Sequence, residues 1–590
     1  MKLLRLKITD PNGFRSLQPG FEHQFRTEWD LQEEKSFSPF VCAGPNGSGK
    51  SNLLEVLAAI FYHMECIYLE NLPDSFRHAE ELNTDGFRSD TSTPDGFEIE
   101  YLTRRPSNLA GEDNLVRIRI MKQPNQSPHW FLWNLDSSEW EKLPTGQELR
   151  RSLLPDYLLG YSSGENEILS LPFFKMRFVQ FDEYWQALKQ QLPYPGRPES
   201  RLVYLDTGFS QAILICNLLF HDANALAPFR EDVRIEELRE FRIIIRRSVE
   251  VAESQIPAFG SQDESKQELI EEIVKKHPAL TVVEDESQIK RYRVNLVHQL
   301  DGSDTSDKII PRLIRCATCR YLDETSDTLY LDYWINDATR LAFRENFDFV
   351  ENNSPIALFQ VFQVLLTLNL FSVSEYLKAD LYQSDSLYAS ETVPTLASDE
   401  RIMRFKNFWV KKTDVAKSVL LKSFSDGEHQ LLHTLGLCLL FKNTQSLFLL
   451  DEPETHFNPD WRANFITRLH QSFSGSNDQE MLVTTHTPFL ISDSRPEKVL
   501  VFSKEDGSVS VSKPEYNTLG ASINKITMAT FGKRETIGGH AQGLLENLLH
   551  RFEEGEDKKQ IISEIDSLLG DSVEKVLLIN TILDSLEKQD

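Results

Sequence analysis

Gly44-Pro45-Asn46-Gly47-Ser48-Gly49-Lys50-Ser51 matches the pattern G-x-x-x-x-G-K-[ST] at every fixed position. Its flanks are those such a loop needs. Phe40-Val41-Cys42-Ala43 before it reads as an apolar strand. After it, Leu53, Val56, Leu57, Ile60, Phe61 and Met64 fall on one face of a helix. Glycines let the backbone wrap closely around phosphate oxygens, so that successive N–H groups and the helix N-terminus face the anion. Lys50 is expected to reach the β- and γ-phosphates of ATP, and the Ser51 hydroxyl to ligate Mg²⁺. Gly44, Asn46, Gly47, Ser48, Gly49, Lys50, Ser51 and Asn52 are the expected nucleotide contacts of this loop.

Three further motifs lie far downstream. Leu447-Phe448-Leu449-Leu450-Asp451-Glu452 is an apolar run ending in two acids. A buried parallel strand would deliver both carboxylates to its C-terminal edge, where α/β sheets place ligands. Asp451 is then expected in the Mg²⁺ shell, and Glu452 as the general base that polarises the attacking water. Phe424-Ser425-Asp426-Gly427-Glu428-His429-Gln430 opens a helix that continues through Leu431, Leu432, Leu435 and Leu439. A Ser-x-Gly turn at a helix start is a second anion-binding arrangement, with Ser425, Gly427 and Glu428 as its expected nucleotide contacts. Two such helix starts in one chain make sense if the second serves a neighbour's nucleotide. Met481-Leu482-Val483-Thr484-Thr485-His486 reads as a strand ending in a histidine placed to sense the γ-phosphate, so His486 joins Glu452 and Lys50 as a catalytic candidate.

Composition bounds the alternatives. The 590 residues allow roughly three to five units of ordinary size, at about 100–200 residues each. Lys plus Arg number 63 against 90 Asp plus Glu, a formal charge of -27, which argues against a chain coated with nucleic acid over its whole surface but leaves room for a local basic groove. No apolar run approaches the roughly 20 residues that span a bilayer, and Met1-Lys2-Leu3-Leu4-Arg5 opens directly into an alternating strand. A cytoplasmic protein with no membrane partner is expected. Cys316-Ala317-Thr318-Cys319 is a lone CxxC with no second ligand pair nearby to complete a zinc site.

The chain divides into four stretches. Residues 1–204 read as a strand-rich lobe around the loop's helix, with strands Leu3–Ile8, Phe97–Leu102, Leu115–Ile120 and Trp130–Leu135. Residues 205–400 read as a mixed, mainly helical insertion, in which helical stretches such as Glu236–Ser248 and Gln267–Lys276 alternate with polar loops and a few strands. The cluster Arg242, Arg246 and Arg247 reads as a solvated helix face, with nucleic-acid contact as the other reading. Residues 401–515 carry the second half of the site. Residues 516–590 form a helical tail that either packs on the body or offers a partner a docking face.

In this order, GPNGSGKS, FSDGE, LFLLDEP and TTH resemble the ATP-binding-cassette ATPases of the SMC-like and OLD-like kind, over residues ~1–200 and ~400–515. The resemblance implies an α/β P-loop head split by an insertion, and a homodimer in which Ser425 of one copy completes the other's site. It places Thr455-His456-Phe457-Asn458-Pro459 at the dimer contact as the D-loop. The signature departs from the transporter form by reading Ser-Asp-Gly. The family's Q-loop glutamine, a metal-shell residue, falls on Gln180 or on the turn Tyr161–Glu167. More narrowly, the chain resembles restriction-system-associated AAA-family ATPases and those of Septu-type and retron-linked phage defence. That likeness implies an ATPase, a homodimer or a higher oligomer, which responds to nucleic acid and regulates a separate nuclease or restriction-system subunit. The alternatives are a self-contained OLD-like nuclease or an SMC-like DNA-repair ATPase. Residues 516–590 contain no Asp-x-Asp, which disfavours the nuclease, and no sustained heptads suggest coiled-coil arms.

Overall fold

Seven strands form the sheet that carries the P-loop, in the order Ser508–Ser512, Val499–Glu505, Phe40–Ala43, Glu480–Thr485, Leu447–Asp451, Leu158–Ser162 and Leu202–Tyr204. All neighbours pair in parallel except the edge hairpin of the first two. The architecture comes from a computed structural model, which describes the chain apart from residues 35, 80–82, 85, 164–166, 168, 261–268, 285–289, 303–307, 349–353, 385–392, 394, 476–477, 533–536 and 588–590.

Strands from distant parts of the sequence become neighbours because the central ones are buried on both faces. Along a strand successive side chains point to opposite sides, and the central strands feed two cores in alternation. Phe40, Cys42, Leu447, Leu449 and Leu482 pack with the P-loop helix Lys50–Tyr68. Val41, Ala43, Phe448, Leu450, Met481 and Val483 pack on the opposite side with the helices Thr207–Phe220 and Asp426–Leu440. A β-lobe covers the first core. It is a six-stranded antiparallel sheet, ordered Glu22–Gln24, Lys2–Ile8, Phe97–Arg104, Leu115–Lys122, His129–Asn134 and Glu139–Lys142. The four strands expected in this region are all among them.

The stretch 205–400 is mixed and mainly helical, as expected, but one of its two named helical stretches is a strand. Glu236–Ser248 is not a helix. Ile235–Arg246 is the central strand of a five-stranded antiparallel sheet, flanked by Thr328–Trp334 on one side and Met403–Lys412 on the other. The inward residues explain the misreading. Ile235, Leu238 and Phe241 are buried at a spacing of three, as on a helix, because the register against Met403–Lys412 shifts between Ile235 and Glu237 and again between Leu238 and Glu240. Each bulge inserts one extra residue. Beyond them the period returns to two, with Phe241, Ile243 and Ile245 buried. A three-stranded sheet of Ser248–Val251, Lys290–Asn295 and Leu280–Glu284 follows directly. Of Gln267–Lys276, Ile270–Lys276 is helical, and 267–268 lie outside the described residues.

The tail is helical as expected. Its last three helices, Gly539–Glu553, Lys558–Leu568 and Val573–Glu587, enclose a small core of their own from Leu545, Leu548, Ile561, Ile565, Leu578 and Ile582.

A buried ionic cluster staples the β-lobe to the central sheet. Arg26 donates to both carboxylate oxygens of Glu480 and, through Nε, to Glu34 Oε2 at 2.7 Å. Lys2 and Lys498 also reach Glu34, at 2.6 and 2.7 Å. The Leu3 amide donates to Glu480 Oε2 at 2.6 Å. The side chains of Arg26 and Glu480 are each 1% exposed, so removing one strands the other without water. Arg26→Met is therefore expected to destabilise the chain by about 3–5 kcal/mol, seen as a lower urea midpoint. Adding Glu480→Leu should recover part of that loss. A midpoint unchanged by Arg26→Met would show that the cluster does not hold the lobes together.

Candidate nucleotide site

The P-loop, the acid pair and the histidine meet at the carboxyl edge of three adjacent strands. Phe40–Ala43 ends in the loop, Glu480–Thr485 ends before His486, and Leu447–Asp451 ends at the acids. In register, Asp451 lies opposite Thr484, and Thr484 opposite Cys42.

The loop is shaped as an anion cradle. Gly44 and Gly49 hold φ of +146° and +98°, a region side chains rarely enter. A Cβ on Gly44 would also stand 2.4 Å from the Phe502 carbonyl oxygen. Pro45, Asn46 and Gly47 form the exposed crest, while Ser48, Gly49 and Lys50 are buried. The Lys50 ammonium donates to the Gly44 and Pro45 carbonyls, both at 3.0 Å, and so folds over the loop it would close around a phosphate. Burial lowers its pKa, against the raising effect of Glu452 and Asp451. Ser48 Oγ is buried with no hydrogen-bond partner among the described residues, as suits a hydroxyl awaiting an acceptor.

Ser51 Oγ donates to Asp451 Oδ1 at 2.9 Å across the sheet edge. A hydroxyl and a carboxylate so paired fit Mg²⁺, which takes one or two protein ligands and completes its shell with water and phosphate oxygens. Thr484 Oγ1 donates to the same Asp451 oxygen at 2.5 Å and accepts from the Glu452 amide at 3.0 Å. Glu452 itself holds a left-handed backbone, φ +49°, which costs a non-glycine residue roughly 1–2 kcal/mol. Its Oε1 lies 3.0 Å from His486 Nε2. The hydrogen bond from His486 holds the carboxyl below its ordinary pKa, so Glu452 is ionised and oriented as a general base requires.

Several expected contacts take other roles. Asn52 turns away from the cradle, with Oδ1 accepting from Ser16 Oγ at 2.5 Å and Nδ2 donating to Glu55 at 2.9 Å. Glu428 is not free for nucleotide. It closes a capping box with Ser425, accepting from the Ser425 amide at 2.8 Å, and takes Lys412 Nζ at 2.6 Å. Gly427 makes room for the D-loop, since a Cβ there would stand 2.7 Å from the His456 carbonyl oxygen. Gln430 accepts from the His456 amide at 2.8 Å, fastening that loop to its own signature helix. Ser425 and Asp426 are exposed, and no hydrogen bond or ion pair joins either to the P-loop among the described residues.

Gln180 is not at the site. The helix Leu171–Lys189 turns it into the core, where its amide donates to Ser200 Oγ at 2.6 Å and accepts from Gln363 at 3.4 Å. The alternative turn does reach the acids. The Ser163 amide donates to the Asp451 carbonyl at 3.0 Å, and Ser163 Oγ to the Glu452 carbonyl at 2.6 Å. Residues 164–166 of this turn lie outside the described residues.

The sequence did not single out Thr484 or Glu454, and it offered Ser163 only as part of the turn Tyr161–Glu167. The two threonines before His486 were the available signal. Glu454 is fully enclosed. Its Oε1 accepts from Thr485 Oγ1, and its Oε2 has no hydrogen-bond partner among the described residues. Burial pushes its pKa up to about 7.

Residues 258–492 match the family model described as "AAA domain, putative AbiEii toxin, Type IV TA system". The chain carries an AAA-type ATPase domain. The matched stretch holds the signature, the acid pair and His486, and sheet pairing brings the P-loop to it from outside. The chain is accordingly an ATPase, and such ATPases use ATP, typically with Mg²⁺. A search of curated proteins finds no match. Among solved structures, the chain is similar to the SMC head domain from Thermotoga maritima, at 11% identity over 88% of this chain and 100% of that one, TM-score 0.29. It is also similar to the SMC head with an extended coiled coil bound to the C-terminal domain of ScpA from Pyrococcus furiosus, at 12% identity over 87% and 96%, TM-score 0.29. A third is the recombination mediator RecF, at 12% identity over 86% and 97%, TM-score 0.25. These TM-scores are low, so the site is judged by its own residues.

Thr484→Val removes a hydrogen bond to a buried carboxylate, worth about 1.5–3 kcal/mol. It should lower kcat by roughly 10- to 100-fold with ATP binding retained, whereas Lys50→Ala should abolish binding in a filter or calorimetric assay. Glu454 gives a second test. A raised carboxyl pKa means that the folded state holds a proton the unfolded chain releases, so stability falls as pH rises from ~4.5 through about 7. Glu454→Gln should flatten that fall in thermal melts across this window, and an unchanged profile would place the titration elsewhere.

Proposed function

We propose that the chain is an ATP-dependent dimerising ATPase of ABC type, which responds to nucleic acid and controls a separate effector nuclease in antiviral defence. One observation carries the dimer. Ser425 caps a helix whose N-terminus is exposed and unconnected to its own P-loop, while Ser48, Lys50 and Ser51 complete only one side of a phosphate cradle. A two-fold contact would set Ser425 and the helix dipole of one copy against the triphosphate of the other. The D-loop belongs at that contact, being packed on the signature helix through Gly427 and Gln430. Lys50 and Ser51 would hold the phosphates and Mg²⁺ with Asp451, Glu452 would polarise the water, and His486 would orient Glu452 and sense the γ-phosphate.

The defence reading is supported by the matched family's description, which places such domains in toxin–antitoxin systems, and by the motif resemblance given above. Control of a separate nuclease, rather than self-contained cleavage, fits a tail whose described part is helical, with its last three helices closing on a core of their own.

Glu452→Gln should bind ATP, fail to turn it over and accumulate as a dimer in light scattering with ATP and Mg²⁺. Adding Ser425→Ala should return it to monomer. A Glu452→Gln chain that stays monomeric at saturating ATP would sink the two-fold arrangement. Co-purification of the native complex, with nuclease activity assayed with and without ATP, tests the effector.

A further inference from the structure

The central strand of the five-stranded sheet has a second face. Phe241, Ile243 and Ile245 point into the core, so Arg242, Ile244 and Arg246 point the other way. Cross-strand register sets Arg404 and Tyr330 on either side of Ile244, with Tyr321 beyond Tyr330, and Thr328 beside Arg246. Ser248–Val251 continues from this strand and pairs with Lys290–Asn295, which sets Arg293 opposite Glu250. Between the two sheets lies a cleft of about 460 Å³, into which Arg246, Arg293, Arg401 and Arg404 converge with the hydroxyls of Thr328 and Tyr330.

The arginine cluster noted in the sequence splits here. Arg242 is closed off by Asp332, at 2.6 and 2.8 Å, and Arg247 lies 3.4 Å from Asp327 and 3.6 Å from Asp301. Arg246, Arg401 and Arg404 have no ion pair with any carboxylate among the described residues. Arg246 reaches only the Glu400 carbonyl and Arg401 only that of Leu396, both at 3.4 Å. Arg404 Nη1 is buried with no acceptor, an arrangement that costs about 1–3 kcal/mol. Acids are present at the rim: Glu250 lies 3.7 Å from Arg293 and from Arg291, and Asp399 and Glu400 also line the cleft. In a chain of net charge -27, three guanidiniums without carboxylate partners in one concavity are a local exception. Beside them, Tyr321 is 62% exposed and tilted against Tyr330 at 5.9 Å.

We propose that this cleft binds single-stranded nucleic acid, with Arg246, Arg401 and Arg404 taking consecutive phosphates and Tyr321 stacking a base. Guanidiniums match phosphate oxygens in bidentate fashion. An exposed aromatic ring beside a cationic groove is the means by which proteins hold unpaired bases. A duplex keeps its base faces covered and is too wide for a cleft of this size. The assignment rests on the nucleic-acid response proposed above and gives it a location.

The test is fluorescence anisotropy of an end-labelled 20-nucleotide strand with the full chain over a salt series. Arg246→Glu/Arg404→Glu is expected to weaken binding at least tenfold. It should also reduce the salt slope by about 1.4, at ~0.7 for each single-strand phosphate no longer neutralised. Tyr321→Ala should weaken binding about 5- to 150-fold, the range of base–aromatic stacking. Arg104→Glu, a charge-matched change at an exposed arginine of the β-lobe, should leave it unchanged, as should each variant the ATPase rate without nucleic acid. If charge reversal lowers the melting temperature, Arg246→Ala/Arg404→Ala is the gentler pair. Wild-type binding undiminished in both double variants would overturn the site while leaving a nucleic-acid response standing. No wild-type binding at low salt would overturn both. Preference for duplex, or binding of thymidine monophosphate as tight as that of the strand, would overturn the single-strand assignment.

Discussion

Asp451 is where the two halves of the sequence are joined into one site. Its carboxylate takes Ser51 from the P-loop helix and Thr484 from the neighbouring strand, and its backbone carbonyl takes Ser163 from the next strand out. All these bonds presuppose one strand register, Asp451 beside Thr484 and Thr484 beside Cys42. Because side chains alternate at period two, a slip of one residue would turn the carboxylate into a hydrophobic core and Leu450 toward the phosphates. The same alternation that divides Phe448 and Leu450 from Leu447 and Leu449 between the two cores therefore also fixes the chemistry.

Three carboxylates within four residues of one another are held by three different sets of partners. Asp451 is met by hydroxyls, Glu452 by an imidazole, and the buried Glu454 by a threonine hydroxyl. Burial raises the pKa of Glu454, whereas the hydrogen bond from His486 lowers that of Glu452. The left-handed turn at Glu452 is what parts its side chain from the strand direction and aims it at His486.

Much of this was legible without coordinates. The P-loop carries its own grammar of glycines, flanking strand and helix, and the buried strands before the acids and His486 are marked by the apolar runs Leu447–Leu450 and Met481–Val483. What failed had local physical causes. Two bulges stretched the inward spacing of Ile235, Leu238 and Phe241 to three, so a strand imitated a helix. Glu428 reads as a ligand in a motif but satisfies the helix end at which it sits. Gln180 is one polar residue on a long, largely buried helix, and only the helix's rotation shows that it faces Ser200 and Gln363. Thr484 acts through its hydroxyl and Ser163 through its hydroxyl and amide, which no periodicity marks.

The inner face of Ile235–Arg246 belongs to the same hydrophobic cluster as Phe448, Leu450 and the signature helix. Close-packed interiors are nearly incompressible and transmit displacement. The segment between the two ATPase halves is thus no detachable module on a hinge. Excising it would open the core beneath Asp451, and a load applied to its outer surface would be felt as a push on the strand that presents the catalytic acids.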